Sequence, residues 1–140
     1  MVLNPYLNFA GNAEEAFRFY QTVFGGELFI QRMSDAPGSE NLPDHEKNYA
    51  MHVSIPVGKG QSIMASDCLE SAGQVLNVGN NNYISVTPDS REEADRLFNG
   101  LSAGGNVEMP MEDMFWGDCF GSFEDKFGVR WMINFPSNAK

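Results

Sequence analysis

Apolar residues recur along this chain at two periods, and the periods alternate in a fixed order. "YLNF" (Tyr6–Phe9) alternates apolar and polar positions, the period-two pattern of a half-buried strand. Ala13, Ala16, Phe17, Tyr20, Val23 and Phe24 then recur at spacings of three and four, which predicts an amphipathic helix. The pattern stops at Gly25-Gly26, a pair suited to a left-handed helix end. Three strand-like stretches follow: "ELFIQRM" (Glu27–Met33), "YAMHVSIPV" (Tyr49–Val57) and "QSIMASD" (Gln61–Asp67). The same succession then returns. "YISV" (Tyr83–Val86) predicts a strand, and Ala94, Leu97, Phe98 and Leu101 predict a helical stripe that stops at Gly104-Gly105. The strands expected after it are "NVEM" (Asn106–Met109), "MFWGDCFGSF" (Met114–Phe123) and "VRWMINF" (Val129–Phe135).

Even the helical wording repeats, as "EEAFRFY" from Glu14 and "EEADRLF" from Glu92. Each copy carries a start signal. Ser90 with Glu93 three residues on is a capping box, and Asn12 with Glu15 is a close variant. Two ordinary amphipathic helices can look alike by chance, but matched strands, caps and glycine stops argue for a true repeat. The reading is therefore α+β: tandem βαβββ modules over 1–68 and 81–136, joined by a linker at 69–80, in one structural domain. Half a sheet with one helix leaves its other face bare, so the two modules are expected to form a curved mixed sheet around a shared hollow. The acidic stretch "SDAPGSENLPDHEKN" is expected as a long loop.

Charge narrows the partners. The chain of 140 residues has a formal net charge of −10 and only nine Lys and Arg, with no basic cluster. Nucleic acid and anionic membrane surfaces are disfavoured as partners. No apolar run approaches the roughly 18 residues of a membrane span, and no leader pattern precedes Tyr6. The expected location is the cytoplasm, with Cys68 and Cys119 reduced and serving as small apolar fillers.

The blocks "PYLNFAGNAEEAFRFYQTVFGGEL", "IMASD" and "FWGDCFGSFEDKFGVRWMINF", with His52 at the opening of the third strand, resemble the vicinal oxygen chelate superfamily (glyoxalase, bleomycin resistance, extradiol dioxygenase). More narrowly they resemble its PhnB-like branch, also labelled 3-demethylubiquinone-9 3-methyltransferase. The resemblance implies the glyoxalase/bleomycin resistance fold, commonly a homodimer, with a pocket inside the curved sheet. The methyltransferase label finds no support in the residues: the first strand leads into "AGNAEE", with a single glycine and not a Gly-rich nucleotide turn.

Metal-using relatives place His, Glu or Gln on the first and last strands of each module. The corresponding stretches here offer Asn4, Asn8, Gln61, Ser66, Asp67, Ser85, Met132 and Asn134. Amide oxygens and a thioether are weak ligands for hard divalent ions, so no cofactor is expected and a divalent metal is disfavoured. The pocket-lining residues the resemblance implies are Asn8, His52, Met64, Ser66, Asp67, Trp116, Phe120, Met132 and Asn134. Each of the large ones equally fits a core filler, and His52 a buried imidazole with one hydrogen bond. Asp118 is the candidate catalytic acid: it shares strand parity with Trp116 and Phe120, which would set a carboxylate between rings. Asp125, in "EDKFG", suits a turn organiser better. Two functional readings result. One is a small-molecule binding protein with no standard metal. The other is a glyoxalase-like lyase or isomerase using an unusual metal or carboxylate acid–base chemistry.

Overall fold

The computed structural model describes residues 1–136, in two compact units that divide between Asn77 and Val78. The first contains β1 (Tyr6–Phe9), α1 (Ala13–Phe24), β2 (Phe29–Arg32), a short helix α2 (Asp44–Lys47), β3 (Ala50–Gly58) and β4 (Gln61–Asp67). The second contains β5 (Ile84–Val86), α3 (Arg91–Ser102), β6 (Asn106–Asp113), β7 (Cys119–Glu124) and β8 (Arg130–Phe135). Each unit is a four-stranded mixed sheet, ordered β1-β4-β3-β2 and β5-β8-β7-β6. In both, the first strand lies parallel to the last and the remaining pairs are antiparallel. The α+β class and the βαβββ order are those the sequence predicts. No described helix is long and apolar enough to cross a membrane.

The helix covers one face of its sheet. In the first unit Phe17, Tyr20 and Val23 of α1 pack on Phe9, Val53, Ile55, Ile63 and Ala65, all buried. Phe17 meets the Phe9 and Tyr20 rings edge-on. In the second, Leu97, Phe98 and Leu101 cover Phe123, Trp131 and Ile133. Gly121 on β7 has a steric reason. A Cβ there would fall 2.7 Å from the Phe98 ring and 2.9 Å from Met111 Sδ. The close approach that this glycine permits is by the protein's own core.

The start of α1 corrects one expectation and explains another residue. Asn12 makes no side-chain cap bond. The carboxylate of Asp67, at the far end of β4, takes that place. Its Oδ1 accepts from the backbone N–H of Gly11 (2.9 Å) and Ala13 (3.0 Å), and its Oδ2 from Ala50 N–H (2.8 Å). A negative charge at a helix N-terminus also meets the helix dipole favourably. Gly11 fits the same knot: its φ is +95°, and the Tyr49 ring occupies the position of a Cβ. At α3 the cap is local, as predicted: Ser90 Oγ accepts from Glu93 N–H, while Glu93 reaches Asp89 N–H. The second buried acid, Asp125, accepts from Phe127 and Val129 N–H and from Trp131 Nε1. It organises the β7–β8 turn, as its sequence context suggested.

Two stretches differ from the sequence reading. β6 continues to Asp113, and Met114–Asp118 form a turn closed by Met114 N–H to the Asp118 carbonyl. The acidic stretch 34–48 is not structureless. It holds two short 3-10 turns and α2, and is anchored by Glu46, which is 1% exposed and accepts from the Ser71 backbone N–H and hydroxyl. The helix-to-edge-strand seam is ionic in both units. Glu14 bonds Arg32 Nη1 at 2.7 Å and Arg18 at 3.0 Å, and Arg91 bonds Asp113 at 2.7 Å.

Asp67→Asn retains shape but puts an amide donor against backbone donors. An unfolding free energy lower by about 1–3 kcal/mol is expected from urea titration, and a change under about 0.5 kcal/mol would contradict the role. The Arg32 hydrogen bond lowers the Glu14 pKa from 4.5 to about 2, against the opposing effect of burial. Its stabilisation is therefore present above about pH 4.5 and lost as the pH falls toward 2. A third of this side chain is solvent-exposed, so the contribution stays below about 1 kcal/mol. Thermal melts of Glu14→Gln between pH 2 and 5 should show a shallower loss of Tm with acid than the parent protein.

Candidate functional site

The face of each sheet turned away from its helix carries the side chains available for chemistry. In the first unit the pairing register draws one continuous row across all four strands: Tyr6, Met64, Ser54, Phe29. Directly paired residues of neighbouring strands share a face. The next row holds Asn8 with Ser66, and His52 with Gln31. His52 bridges the rows: its Nδ1 lies 3.2 Å from the Tyr6 hydroxyl. Its ring centroid is 5.8 Å from that of Tyr6 and 6.3 Å from that of Phe29. Tyr6 and Phe29 are half-exposed, at 48% and 53%. The structure thus brings Asn8, His52, Met64 and Ser66 to one surface. It removes Asp67 from it. That carboxylate is buried on the helix side and taken up by three backbone donors.

In the second unit the helix-averse face carries Ser85, Met132, Ser122 and Met109 in one row, and Asn134, Phe120 and Glu112 in the next. Asn134 Nδ2 donates to Asp118 at 3.0 Å. Phe120, Met132, Asn134 and Asp118 are therefore neighbours. Trp116 lies in the Met114–Asp118 turn, half-exposed, 5.0 Å from the Phe115 ring and 6.5 Å from Phe120. The parity argument that set Asp118 between two strand-borne rings does not hold, because Trp116 is not on a strand. Asp118 is held by an amide at the mouth of a turn.

Sequence reasoning missed two sets of residues. Tyr6 and Phe29 belong to the first unit's face. Tyr6 stands two residues before Asn8 on the same strand, so parity marks it. Arg130, Glu108, Glu124 and Tyr83 form an ionic cluster in the second unit. Arg130 pairs with Glu108 and, at 3.1 Å, with Glu124, while the Tyr83 hydroxyl donates to Glu108 at 2.8 Å. Burial opposes the Arg130 charge, but the Tyr83 contact and the two carboxylates outweigh it and hold its pKa above the ordinary value. Burial pushes the Cys119 thiol up, which suits a filler and not a nucleophile.

Metal ligation requires donors that converge. Among the described residues no three His, Cys, Asp or Glu come together. On the first and last strands of each unit, the helix-averse positions hold Asn8 with Ser66 and Ser85 with Met132. Amide, hydroxyl and thioether groups do not form the imidazole–carboxylate set that a divalent first-row ion selects, so these residues do not fit that ion. His52 is alone on its face as a strong donor, with its Nδ1 engaged by Tyr6.

Comparison with known proteins places this geometry in a family. Residues 2–134 match the family model described as 3-demethylubiquinone-9 3-methyltransferase. Protein YjdN of Escherichia coli K12 is 37% identical, over 96% of this chain and 95% of its own length. The solved structure of protein PA1353 from Pseudomonas aeruginosa superposes with a TM-score of 0.84 at 39% identity, covering 96% of this chain and 97% of that one. The PhnB protein from Bacillus cereus superposes at 0.72 with 25% identity, covering 96% and 99%. More distant solved proteins of the glyoxalase/bleomycin resistance/dioxygenase family share the fold alone. The paired βαβββ units, the mixed sheets and the match along nearly the whole chain agree: the chain, which shares its fold with glyoxalase/bleomycin resistance proteins, belongs to the 3-demethylubiquinone-9 3-methyltransferase family.

Proposed function

We propose that the protein binds a small, partly apolar molecule against the helix-averse face of its sheet, without a divalent metal. The observation that carries this reading is the chemistry of that face. Aromatic rings and thioethers supply apolar surface, and hydroxyl, amide and imidazole groups supply a few directional bonds. That is the mixture of a small-molecule site. The family description does not extend to a methyl-transfer reading. A bound methyl-donor nucleotide calls for a helix N-terminus open to it. Here the N-terminus of α1 is occupied by Asp67.

Titration with Nile red, a neutral dye whose emission reports apolar surroundings, tests the reading. Saturable binding to the purified protein, unchanged after EDTA dialysis, is expected. Met64→Lys should weaken it at least about tenfold by placing a charge among apolar side chains. Binding that disappears with EDTA and returns with Ni²⁺ or Zn²⁺ would overturn the metal-free reading. Metal-dependent turnover of the glutathione–methylglyoxal hemithioacetal would favour the lyase reading in its place.

A further inference from the structure

The two units repeat their backbone but not their chemistry, and the difference points to one ligand-recognition surface. We propose that the Tyr6–His52–Phe29 surface of the first unit selects a flat aromatic molecule bearing an oxygen acceptor, anchored by the Nε2–H of His52. The proposal rests on the small-molecule reading above and names the ligand class.

Register matches the units position by position. β1 pairs with β4 as β5 pairs with β8, so Asn8 corresponds to Ser85 and Ser66 to Met132. One step back along the strands, Tyr6 corresponds to Tyr83 and Met64 to Arg130. Ser54, paired with Met64, corresponds to Glu124, paired with Arg130. In the second unit this row is an internal ion-pair network, with Tyr83 and Arg130 committed to Glu108 and Glu124. The network commits the Arg130 Nη groups to two carboxylates, although its Nε has no hydrogen-bond partner, and a ligand at this row would have to displace those part-exposed ion pairs. The first unit has an uncharged row in the same place, bounded by two half-exposed rings.

The hydrogen-bond roles follow from acidity. A phenol is a stronger acid than the N–H of neutral imidazole, so the 3.2 Å contact fits the tautomer in which the Tyr6 O–H donates to Nδ1. His52 then carries its proton on Nε2. No hydrogen bond to Nε2 is found among the described residues. The imidazole is an oriented donor held by Tyr6 and set in a shallow aromatic surface, tilted 36° from Tyr6 and 57° from Phe29. Tyr6 and Phe29 stand on the two outer strands, and their ring centroids lie 5.8 and 6.3 Å from that of His52, so a flat fused ring system laid on this patch would contact all three rings. The formal charge of −10 disfavours an anion and leaves a neutral carbonyl or ether oxygen as the matching acceptor.

Ligand-observed NMR titration with 2-acetylnaphthalene and 2-ethylnaphthalene, nearly equal in shape, isolates that bond. The acetyl compound should bind the wild-type protein about five- to tenfold tighter, the worth of one hydrogen bond. In His52→Phe the two affinities should converge to within about twofold. Tyr6→Phe keeps the ring but frees Nδ1 and should shrink the preference. Phe29→Ala should weaken both compounds alike, and Phe115→Ala, which alters an exposed ring of the second unit, should change neither. Equal affinities in the wild type, no binding of either compound, a preference surviving in His52→Phe, or a loss in Phe115→Ala would each overturn the proposal. Should Nile red still bind without metal while the naphthyl preference is missing, the ligand class fails and the binding reading stands.

Discussion

The carboxylate of Asp67 joins parts of the first unit that lie up to 56 positions apart in sequence. Three backbone donors converge on it, from the turn before α1, from the first turn of α1 and from the start of β3. A buried carboxylate loses several kcal/mol of hydration, which only such a set of charge-assisted bonds offsets. The consequence is geometric. The helix must start where β4 ends, so α1 can lie on one face of the sheet alone. The other face carries His52, Tyr6 and Phe29. Asp125 does related work in the second unit, fixing the β7–β8 turn and the indole of Trp131, the largest fully buried side chain.

Repetition of the backbone under different side chains shows which contacts the fold requires. Both units tie the start of the helix to the end of the edge strand with an ion pair, but with reversed polarity: Glu14 to Arg32, and Arg91 to Asp113. Complementarity matters there, not the sign. The caps differ more. One helix uses a remote carboxylate and the other a local serine. Each solution satisfies a helix-start N–H, that of Ala13 in one and of Glu93 in the other.

Much of the fold was legible because it rests on periodicity. The stripe Ala13–Val23, the alternation of Gln61–Asp67 and the glycine stops are local patterns, and the strands and helices follow them closely. What escaped was non-local. Asn12 looked like the cap because sequence shows only neighbours, while Asp67 reaches the helix through β1–β4 pairing. The run Met114–Asp118 is as apolar as a strand and became a turn, since Gly117 at φ +100° breaks the extended path. That one misread turn undid the parity argument for Asp118. Of the candidate site, Asn8, His52, Met64 and Ser66 were named through the family resemblance, and the pairing register sets them on one face. Phe29 was not, because membership of that face depends on cross-strand register.

The same register sets an uncharged row in one sheet against an ion-paired row in the other. A duplicated module begins with two equal faces. Each face must be either satisfied internally or left for something else, since unpaired charge on a packed sheet is costly and exposed rings gain little from water. The second unit satisfies one row with Arg130 and two carboxylates. The first replaces the arginine with Met64 and the glutamate with Ser54, which leaves its tyrosine to orient an imidazole. Where the second unit has an ionic network, the first has an uncharged row between Tyr6 and Phe29. In this chain the divergence of two side-chain pairs, on an otherwise shared backbone, separates an ion-paired row from an uncharged one bounded by aromatic rings.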